Sequence, residues 1–545
     1  MNERTRKLYY GDCLDVMRGM IPDASVDLVY LDPPFNSNAT YNVLFKPPEE
    51  LGDAAQIRAF EDTWHWTVQT EREYAEILKN PYGNSDLAKL VSALRQFLGD
   101  NDMMAYLVHM ANRLLEIRRV MKDTASIYLH CDPTASHYLK LVMDAVFGYK
   151  QFVNEIIWKR SDAKGDSGQG AKHYGRVNDC LLFYSKSDER IWNSQYTTLD
   201  PEYVRKFYRY KDPDGRRYKL DNMLGPGGAA KGNPQYEVMG VTRYWRYSKD
   251  NMNELIRQGR VIQTKPGTVP MYKRYLDESK GTPVTTNWTD ISFVRGWSKE
   301  RLGYPTQKPV TLLERILNTS SNEGDVVLDP FCGCGTTVHA AEELGRSWIG
   351  IDITHLAINL IRTRLTAAFP GIEIETHGLP ASYAGALELA RADKHEFELW
   401  VLGELDAMPY KGGRKGADTG IDGYLFFRYL DDDRVIDGKA IVEVKGGGTN
   451  VKDVRNLAEV VEREGADLGV LVSALKPSRP MCEHAAGKGT VTLGSRDYPR
   501  LQVVWLKDLM ENKARVEYPE SGKIEHQKKA PRHRRDYQEE IGSES

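Results

Sequence analysis

The sequence predicts an α/β protein in which helices cover both faces of a largely parallel sheet. Two segments support this prediction. An apolar run from Val26 to Leu31 stops abruptly at Asp32-Pro33-Pro34, as a buried strand does when it ends in a loop, because proline cannot donate a hydrogen bond to a sheet. A second segment, 324–353, has the pattern strand, glycine turn, helix and strand, which is the opening of a doubly wound sheet.

Length and composition indicate a folded protein of several domains. The chain has 545 residues, of which 41% are hydrophobic and 28% are charged, and this length corresponds to about three to four domains or two large ones. No apolar run approaches the roughly 18 residues of a membrane span, and the start of the chain lacks the apolar stretch of a secretion signal. The six cysteines form no CxxC pair and no zinc-finger spacing, so we expect a cytoplasmic protein without a disulfide scaffold or structural zinc. A net charge of −3 does not exclude a nucleic-acid enzyme, which can confine its positive charge to one face.

The clearest helical pattern of the first half lies at residues 102–121. Apolar residues recur there at alternating spacings of four and three: Met103, Leu107, Met110, Leu114, Ile117 and Met121. One apolar face of this kind predicts packing in the core. The segment 126–132 predicts another short buried strand.

The glycine turn from Asp329 to Thr337, DPFCGCGTT, indicates a small-ligand site. Its glycines allow the backbone to approach a ligand closely, and Asp352 at the end of the next strand suits hydrogen bonds from ribose hydroxyls. The turn lacks the Gly-Lys-Ser/Thr of a triphosphate loop and the third glycine of a dinucleotide fingerprint, and the acid at its start suits a ligand with a positive amino group. Cys332 and Cys334 could ligate a metal, but their two-residue spacing between glycines favours small residues that fill the turn.

The tetrapeptide Asp32-Pro33-Pro34-Phe35 should face the same crevice, because ligands in such sheets bind outside the carboxyl ends of the strands. An exocyclic amine on a nucleobase is a weak nucleophile, since its lone pair is delocalised into the ring. The Asp32 carboxylate and the Pro33 carbonyl could accept both N–H bonds and localise that lone pair, and Phe35 could stack on the base for about 1–3 kcal/mol. The alternative is an ordinary strand-ending turn with a packed aromatic residue.

Several motifs in this order resemble the amino-methylating, S-adenosylmethionine-dependent DNA methyltransferases of the beta arrangement. The resemblance covers most of residues 7–365 and depends on YYGDCLDVM (9–17), SVDLVYLDPPFNSN (25–38), FVNEIIWKR (152–160), YPTQKP (304–309) and VVLDPFCGCGTT (326–337). It implies a Rossmann-like methyltransferase fold with permuted motif order and an inserted target-recognition region. It also implies S-adenosyl-L-methionine as cofactor, double-stranded DNA with a flipped base as substrate, and a homodimer as a common assembly of the family.

The resemblance implies roles for individual residues. The catalytic tetrapeptide is Asp32, Pro33, Pro34 and Phe35. The positions that match cofactor-binding residues are Asp12, Thr306, Gln307, Lys308, Asp329, Phe331, Gly333, Gly335, Thr336 and Asp352. Asp at the start of the tetrapeptide, where enzymes that methylate cytosine N4 more often have Ser, favours adenine N6 and leaves cytosine N4 as the alternative. Trp158 or Lys159 is expected to line the pocket for the flipped base.

The middle region, 160–300, mixes glycines, tyrosines and basic residues without sustained periodicity. Its place between the two halves of a methyltransferase core predicts recognition of the DNA target. Basic residues hold phosphates, and the candidates for DNA binding lie in VRKFYRYKDPDGRRYKL (204–220): Arg205, Lys206, Arg209, Arg216 and Arg217. The alternative for this stretch is a solvated charged surface.

Residues 396–510 indicate a second chemistry. Asp422 in ADTGIDGYLFF precedes Glu443 and Lys445 in AIVEVKGGG, and two carboxylates can hold Mg²⁺ while a lysine polarises the attacking water. The pattern resembles the α/β restriction-endonuclease fold of the PD-(D/E)xK type, in particular its Mrr-like members, whose Gly-x-Asp-Gly turn matches Gly420 to Gly423. The resemblance implies Asp422 and Glu443 as metal ligands. A retained but inactive domain that only binds DNA is the alternative.

These patterns predict a catalytic half of the methyltransferase core at 1–159, a target-recognition region at 160–300, a cofactor half at 301–375, a linker at 376–395, a nuclease-like domain at 396–510 and a polar tail at 511–545. The favoured hypothesis is an adenine-N6 DNA methyltransferase fused to a nuclease, as in a restriction–modification system. A methyltransferase whose last domain only binds is the second hypothesis. A non-enzymatic DNA-binding protein with decayed sites is the third, and the intact Asp32 argues against it.

Overall fold

The computed structural model describes residues 4–34, 39–44, 56–62, 65–79, 83–162, 172–295, 298, 300–302, 304, 306–380, 382–410, 420–431 and 434–519, with the backbone alone at 39–44, 56–62 and 356. The chain divides into two compact units. One unit consists of residues 194–285, and the other consists of the remainder of the chain. Among the described residues, no helix is both long enough and apolar enough to cross a membrane.

The larger unit begins with alternating strands and helices. Its first strands are β1 (Arg6–Tyr10), β2 (Val26–Leu31), β3 (Ala39–Leu44), β4 (Gln56–Asp62), β5 (Met121–Cys131), β6 (Phe152–Lys159) and β7 (Asn178–Ser185). Its first helices are α1 (Cys13–Met20), α2 (Val68–Leu78), α3 (Ser85–Leu98), α4 (Asp102–Val120) and α5 (Ser136–Phe147).

Residues 194–285 form short strands, two α-helices and a short 3₁₀ helix at Gly228–Lys231. The strands are β8 (Tyr196–Thr197), β9 (Tyr210–Lys211), β10 (Arg217–Asn222), β11 (Gln235–Val238), β12 (Val241–Tyr244), β13 (Val261–Ile262), β14 (Met271–Tyr275) and β15 (Thr282–Pro283). The helices are α6 (Pro201–Phe207) and α7 (Lys249–Arg257). Strands β13, β14, β10 and β9 form a four-stranded sheet, and Met223 and Trp245 are fully buried in the small core of this unit.

The chain then returns to the larger unit. Its remaining strands up to residue 377 are β16 (Asn287–Trp288), β17 (Val326–Asp329), β18 (Ser347–Asp352) and β19 (Glu375–His377), and its helices are α8 (Val310–Ser320), α9 (Thr336–Glu343) and α10 (His355–Ala368). A nine-stranded sheet has the order β16-β6-β7-β5-β2-β17-β18-β1-β19. Strand β7 pairs antiparallel with β5 and β6, and the other neighbours pair in parallel. The predicted α/β fold with a doubly wound sheet is confirmed.

Helix α4 illustrates how local sequence determines an element. The side chain of Asn101 caps its first turn by accepting a hydrogen bond from the Met104 amide at 2.9 Å, as short polar residues do at helix starts. The predicted apolar face is fully buried at Leu107, Met110 and Leu114. The prediction of a core helix over 102–121 is therefore confirmed, while Met121 already belongs to strand β5.

The C-terminal part contains a second sheet. The strands of this part of the chain are β20 (Met408–Pro409), β21 (Gly423–Asp431), β22 (Arg434–Lys445), β23 (Leu468–Ser473), β24 (Thr490–Leu493), β25 (Arg496–Pro499) and β26 (Leu501–Trp505), of which β24 and β25 pair only with each other. Its helices are α11 (Tyr383–Ala392), α12 (Lys394–Glu404), α13 (Val451–Arg463), α14 (Arg479–Ala486) and α15 (Leu506–Met510). The five-stranded sheet has the order β20-β21-β22-β23-β26, with β22, β23 and β26 parallel.

The structure places three boundaries differently from the sequence prediction. Strands β7 and β16 belong to the nine-stranded sheet, so the separate unit is narrower than 160–300. The predicted linker contains α11, which buries Ala386 and Ala390 in the C-terminal core. The predicted tail begins inside that core as well, since Val516 packs there. Short apolar segments between polar loops carry too little periodicity to reveal which sheet or core they join.

Candidate active site

The two motifs predicted to share a crevice lie on neighbouring strands. Strand β2 pairs in parallel with β17, with Leu28 opposite Val327 and Val29 opposite Leu328. The loops that follow both strands therefore leave the same edge of the sheet, although about 300 residues separate them in sequence. They line a cavity of about 510 Å³, a volume within the roughly 300–1,000 Å³ of small-molecule sites.

Asp32 directly follows β2, and its two carboxylate oxygens have different surroundings. Its Oδ2 accepts a hydrogen bond from the Lys308 ammonium, and both side chains are largely buried. Its Oδ1 is buried and has no hydrogen-bond partner among the described residues. Pro34 also lines the cavity, whereas the buried Pro33 does not, and Phe35 lies outside the described residues. A buried open acceptor is costly unless a ligand supplies a donor, so Asp32 is arranged to accept an N–H or O–H group.

The glycine turn is held by two carboxylates. Asp329 accepts a hydrogen bond from the Phe331 amide at 3.0 Å. Asp352 accepts from the Gly333 amide at 2.9 Å and from both the amide and the hydroxyl of Thr354. Burial raises the pKa of Asp352, and it raises the pKa of Asp329 to about 7. The cavity therefore contains acids whose charge is poorly solvated and which would be stabilised by a cationic or hydroxyl-bearing ligand.

Gly335 has a backbone conformation that other residues avoid. Its φ is +74°, and a Cβ atom there would lie 2.7 Å from Cγ1 of Ile361. We expect Gly335→Ala to lower the free energy of unfolding by roughly 1–3 kcal/mol, measured by denaturant unfolding of the full chain. Gly19→Ala is the control, because Gly19 lies in α1 with nothing within 4 Å of the added atom. Similar loss of stability in the two variants would contradict this account.

The structure brings together most of the residues predicted to bind a cofactor. The cavity is lined by Asp12, Thr306, Lys308, Asp329, Phe331, Gly333, Thr336 and Asp352. Gln307 instead ties its own loop together, since its amide donates to the Glu300 carbonyl at 2.6 Å and accepts from the Leu302 amide at 2.7 Å. Gly335 lies behind the loop as the residue that precedes α9.

Sequence reasoning missed cavity residues supplied by the core helix α4. Arg113 is 2% exposed and donates a hydrogen bond to Oδ2 of Asp12 at 2.6 Å. Glu73 lies 3.8 Å from the same guanidinium. His109 also lines the cavity, and burial beside Arg113 lowers its pKa well below the usual value. His109 and Arg113, one turn apart, lie beside the predicted apolar face and not on it, so the apolar periodicity gave no signal for them.

A chain of buried polar groups leads from the cavity into the sheet. The Tyr30 hydroxyl lies 2.8 Å from Nδ1 of His130, and Nε2 of His130 lies 3.1 Å from the Asp179 carboxylate. Arg160 approaches the other oxygen of Asp179 at 3.3 Å. Because Tyr30 precedes Asp32 by two residues on the same strand, this chain braces the strand end that carries Asp32.

A second cluster of acids and a lysine lies in the C-terminal sheet. Glu443 on β22 is 4% exposed, and its Oε1 lies 2.8 Å from the Lys445 ammonium. Its Oε2 is buried and meets no hydrogen-bond partner within the described chain. Asp422 accepts a hydrogen bond from the Val444 amide at 2.6 Å. Burial, together with the nearby Asp422 charge, raises the pKa of Glu443, and Lys445 opposes that shift.

Comparison with known proteins identifies the larger part of the chain. Residues 26–363 match a family model described as DNA methylase. This chain belongs to that DNA methylase family. Residues 389–498 of the chain match a second family model, described as Restriction endonuclease, so the C-terminal sheet belongs to an endonuclease-like domain.

Individual relatives of this chain come from bacteria. It is 33% identical to the Type II methyltransferase M.EcaI of Enterobacter cloacae over 263 residues, which are 48% of this chain and 57% of that protein. It is 27% identical over 361 residues to the Type III restriction-modification enzyme StyLTI Mod subunit of Salmonella typhimurium, covering 63% of this chain and 51% of that one. It is 40% identical over 143 residues to the DNA adenine methyltransferase YhdJ of Escherichia coli, covering 25% of this chain and 43% of that protein. The chain thus spans about half the length of these relatives.

Two of the arginines predicted to bind DNA have structural partners in the 194–285 unit of the chain. Arg216 pairs with Asp277 at 2.8 Å and Glu278 at 2.9 Å. Arg217 donates to the carbonyls of Tyr208 at 3.0 Å and Val204 at 3.3 Å. Both side chains brace the β9–β10 hairpin, and a direct contact of either with phosphate remains a prediction.

The other three basic candidates lie on or next to helix α6. Arg205 is 79% exposed and pairs with Glu202 one turn away at 3.1 Å, an arrangement worth little when solvated. Lys206 and Arg209 lie over the rings of Phe207 and Tyr210, at 5.4 and 5.1 Å from the ring centres. These groups can turn toward a phosphate at small cost, so they remain the better candidates for DNA binding.

Trp158 and Lys159, predicted near the flipped base, lie on strand β6. Trp158 is buried, and its indole N–H donates to the Ile291 carbonyl at 3.1 Å. Lys159 is half-exposed and lies 3.2 Å from Asp162. Neither residue lines the cavity, so the placement of Trp158 favours core packing, and a role in the base pocket remains a prediction.

Proposed function

We propose that this protein transfers a methyl group from S-adenosyl-L-methionine to the N6 amino group of adenine in duplex DNA. The observation that carries the proposal is the open Oδ1 of Asp32, buried in a cavity next to a glycine turn and two poorly solvated acids. The cavity fits the cofactor: Asp329 suits an ammonium group, and Asp352 suits ribose hydroxyls. When bound, S-adenosyl-L-methionine supplies an electrophilic methyl group on a sulfonium.

The chain's own residues position and activate the amine. The target base must leave the duplex stack, at a cost of a few kcal/mol, before its amino group can reach Asp32. Oδ1 of Asp32 then accepts one N–H, which helps to localise the nitrogen lone pair. Acceptance of the second N–H by the Pro33 carbonyl stays a prediction, because Pro33 does not line the cavity. Lys308 holds Oδ2, so the carboxylate cannot rotate away from the amine. Such positioning of two bound partners is the main source of rate enhancement when no covalent enzyme intermediate forms.

Adenine is proposed in preference to cytosine on two grounds. Asp stands at the first position of the tetrapeptide, and one relative is named a DNA adenine methyltransferase. Mass spectrometry of nucleosides from unmethylated plasmid, incubated with protein and cofactor, tests the choice. We expect N6-methyladenine. N4-methylcytosine would overturn the choice of base, and no methylated nucleoside, while the cofactor demonstrably binds, would overturn the proposed function.

The raised pKa of Asp329 predicts that cofactor binding depends on pH. Burial raises this pKa from 3.8 to about 7, so the folded free protein holds the proton more tightly than the unfolded chain. Asp329 therefore stabilises the free fold most at low pH, and this contribution is lost as pH rises toward 7. A ligand ammonium needs the ionised form, so S-adenosylhomocysteine should bind about tenfold more weakly at pH 6 than at pH 8.

Calorimetric titration of S-adenosylhomocysteine at several pH values measures this effect. The matched variant is Asp329→Asn, which cannot ionise and should bind weakly with a flat profile across the same range. An affinity of the unaltered protein that does not change between pH 6 and pH 8 would rule out Asp329 as the partner of the ammonium group.

We propose that the endonuclease-like domain cleaves DNA with a divalent cation, as the second half of a fused restriction–modification protein. The specific observation is the buried open Oε2 of Glu443 beside Lys445 and Asp422. Asp422 and Glu443 would hold Mg²⁺, and Lys445 would stabilise charge that develops on the phosphate. No group of three or more potential metal ligands occurs among the described residues, so water or phosphate oxygens would complete the coordination.

A further inference from the structure

Helix α12 belongs to the endonuclease-like domain and also contacts the methylase core. On one side, Phe397, Trp400 and Val401 are buried in the C-terminal core. On the other side, Glu404 lies 3.8 Å from Arg362 of α10, and Gly403 packs so closely on α10 that an added Cβ would lie 1.9 Å from the Asn359 amide nitrogen. The helix is therefore shared between the two domains.

The first turn of α12 directs a carboxylate into the cofactor cavity. Asp393 caps the helix by accepting hydrogen bonds from the amides of His395 and Glu396 at 2.9 and 3.1 Å. The Glu396 side chain is 34% exposed and lines the cavity together with Asp352 and Ile353. One residue of the cavity thus comes from the C-terminal domain.

Among the residues that the structure describes, one oxygen of this carboxylate has polar partners. Oε2 accepts a hydrogen bond from the Tyr10 hydroxyl at 2.9 Å and lies 3.4 Å from Nε2 of His355. Oε1 accepts no hydrogen bond from any described residue. His355 is stacked on Tyr10 with ring centres 3.9 Å apart, and burial lowers its pKa to about 4, so it is a neutral ring that leaves the Glu396 charge in place.

The position of Glu396 indicates which part of a ligand it meets. Tyr10 pairs with Asp352 in the register of β1 and β18, so the carboxylate lies at the strand end that presents the ribose-binding acid. Asp32 lies at the end of a different strand, β2, and Lys308 lies on the segment that precedes α8. Glu396 therefore faces the nucleoside end of the cavity.

We propose that Glu396 is a cofactor-binding residue supplied by the endonuclease-like domain, with Oε1 accepting a hydrogen bond from a ribose hydroxyl or the adenine amino group of S-adenosyl-L-methionine. The inference rests on the proposed methyltransferase function. It means that the cofactor site is incomplete without the second domain. Thermodynamic linkage makes this coupling reciprocal. If the packing of α12 against α10 strengthens cofactor binding by some factor, cofactor binding strengthens that packing by the same factor.

Titration of the full chain with S-adenosylhomocysteine, followed by calorimetry, tests the contact. We expect Glu396→Ala to weaken binding about tenfold or more, because hydrogen bonds to charged groups are the stronger class. Glu396→Gln should lose less affinity, since its amide oxygen can still accept a hydrogen bond from the ligand. The control is Glu398→Ala, which removes an acid of similar exposure, 33%, from the same helix but outside the cavity. Unfolding midpoints of the four proteins verify that each variant is folded.

Two further measurements separate a ligand contact from a purely structural role. Tyr10→Phe keeps the ring and removes the hydrogen bond to Glu396, so binding should stay within about twofold of the unaltered protein. Amide hydrogen exchange along α12 should slow when S-adenosylhomocysteine is added, and this slowing should disappear in Glu396→Ala.

Three outcomes decide between the proposals. Unaltered binding by Glu396→Ala would overturn the contact while leaving the proposed methyltransferase function intact. Equal weakening by Tyr10→Phe and Glu396→Ala would assign the effect to the domain interface and also overturn it. A full chain that binds no S-adenosylhomocysteine at all would count against the methyltransferase function itself, and with it this inference.

Discussion

Asp32→Ala is expected to reduce methyl transfer to DNA by about 10²–10³-fold, the usual cost of deleting one polar group aimed at the reacting atoms. The structure leaves Oδ1 of Asp32 buried without a partner in the described chain and ties Oδ2 to Lys308. Deleting the carboxylate removes the acceptor for the amine, and it also removes one of the partners of the buried Lys308 ammonium. Single-turnover transfer of labelled methyl groups to plasmid DNA measures the loss.

Cofactor affinity, measured on the same variant, shows whether the substitution affects methyl transfer alone or the whole site. S-adenosylhomocysteine should bind Asp32→Ala within a few fold of the unaltered protein, because Asp329 and Asp352 lie on other strands. Asp32→Asn keeps one acceptor oxygen, so its rate of methyl transfer should lie between the rates of Asp32→Ala and the unaltered protein. The control is Asp15→Ala, an exposed acid in the first turn of α1. Methyl transfer by Asp32→Ala at the rate of Asp15→Ala would remove Asp32 from the proposed site.

Glu443→Ala is expected to abolish cleavage of DNA in Mg²⁺, with a loss of more than a hundredfold. A catalytic cation contributes several kcal/mol of charge stabilisation, and each 1.36 kcal/mol changes the rate about tenfold. Glu443 is buried with one oxygen that no described residue satisfies, next to the Lys445 ammonium at 2.8 Å. A cation bound by Asp422 and Glu443 would satisfy that oxygen. Chelation by EDTA should therefore have the same effect as the substitution.

Supercoiled plasmid lacking methylation is the substrate for this measurement, and conversion to the linear form is the readout. Glu459→Ala is the matched control, since Glu459 is an exposed acid on α13 of the same domain. Cleavage that persists in Glu443→Ala would exclude this residue from the metal site. Binding of DNA without cleavage by the unaltered protein in Mg²⁺ or Mn²⁺ would favour the alternative of a domain that only binds.

Local sequence was enough to predict most elements near the site. Strand β2 was predicted because a largely apolar run ends at Asp32 and two prolines, and helix α4 because apolar residues recur at its period. The glycine turn and Asp352 were found because a strand-turn-helix-strand segment holds its functional residues within about 25 positions. Each of these patterns is contained in a short stretch of chain, where periodicity and backbone restrictions act directly.

The α/β class, the family motifs and the acids at the carboxyl ends of the strands can therefore be predicted from the sequence alone. The folded chain was needed to show that β2 and β17 are neighbours, that Lys308 meets Asp32, and that Arg113 and Glu396 reach the same cavity. It also placed Arg216 in an ion-pair cluster and strand β7 in the main sheet. Contacts of this kind join segments that lie tens to hundreds of residues apart. Because they depend on the packing of the whole core, no short sequence pattern predicts them.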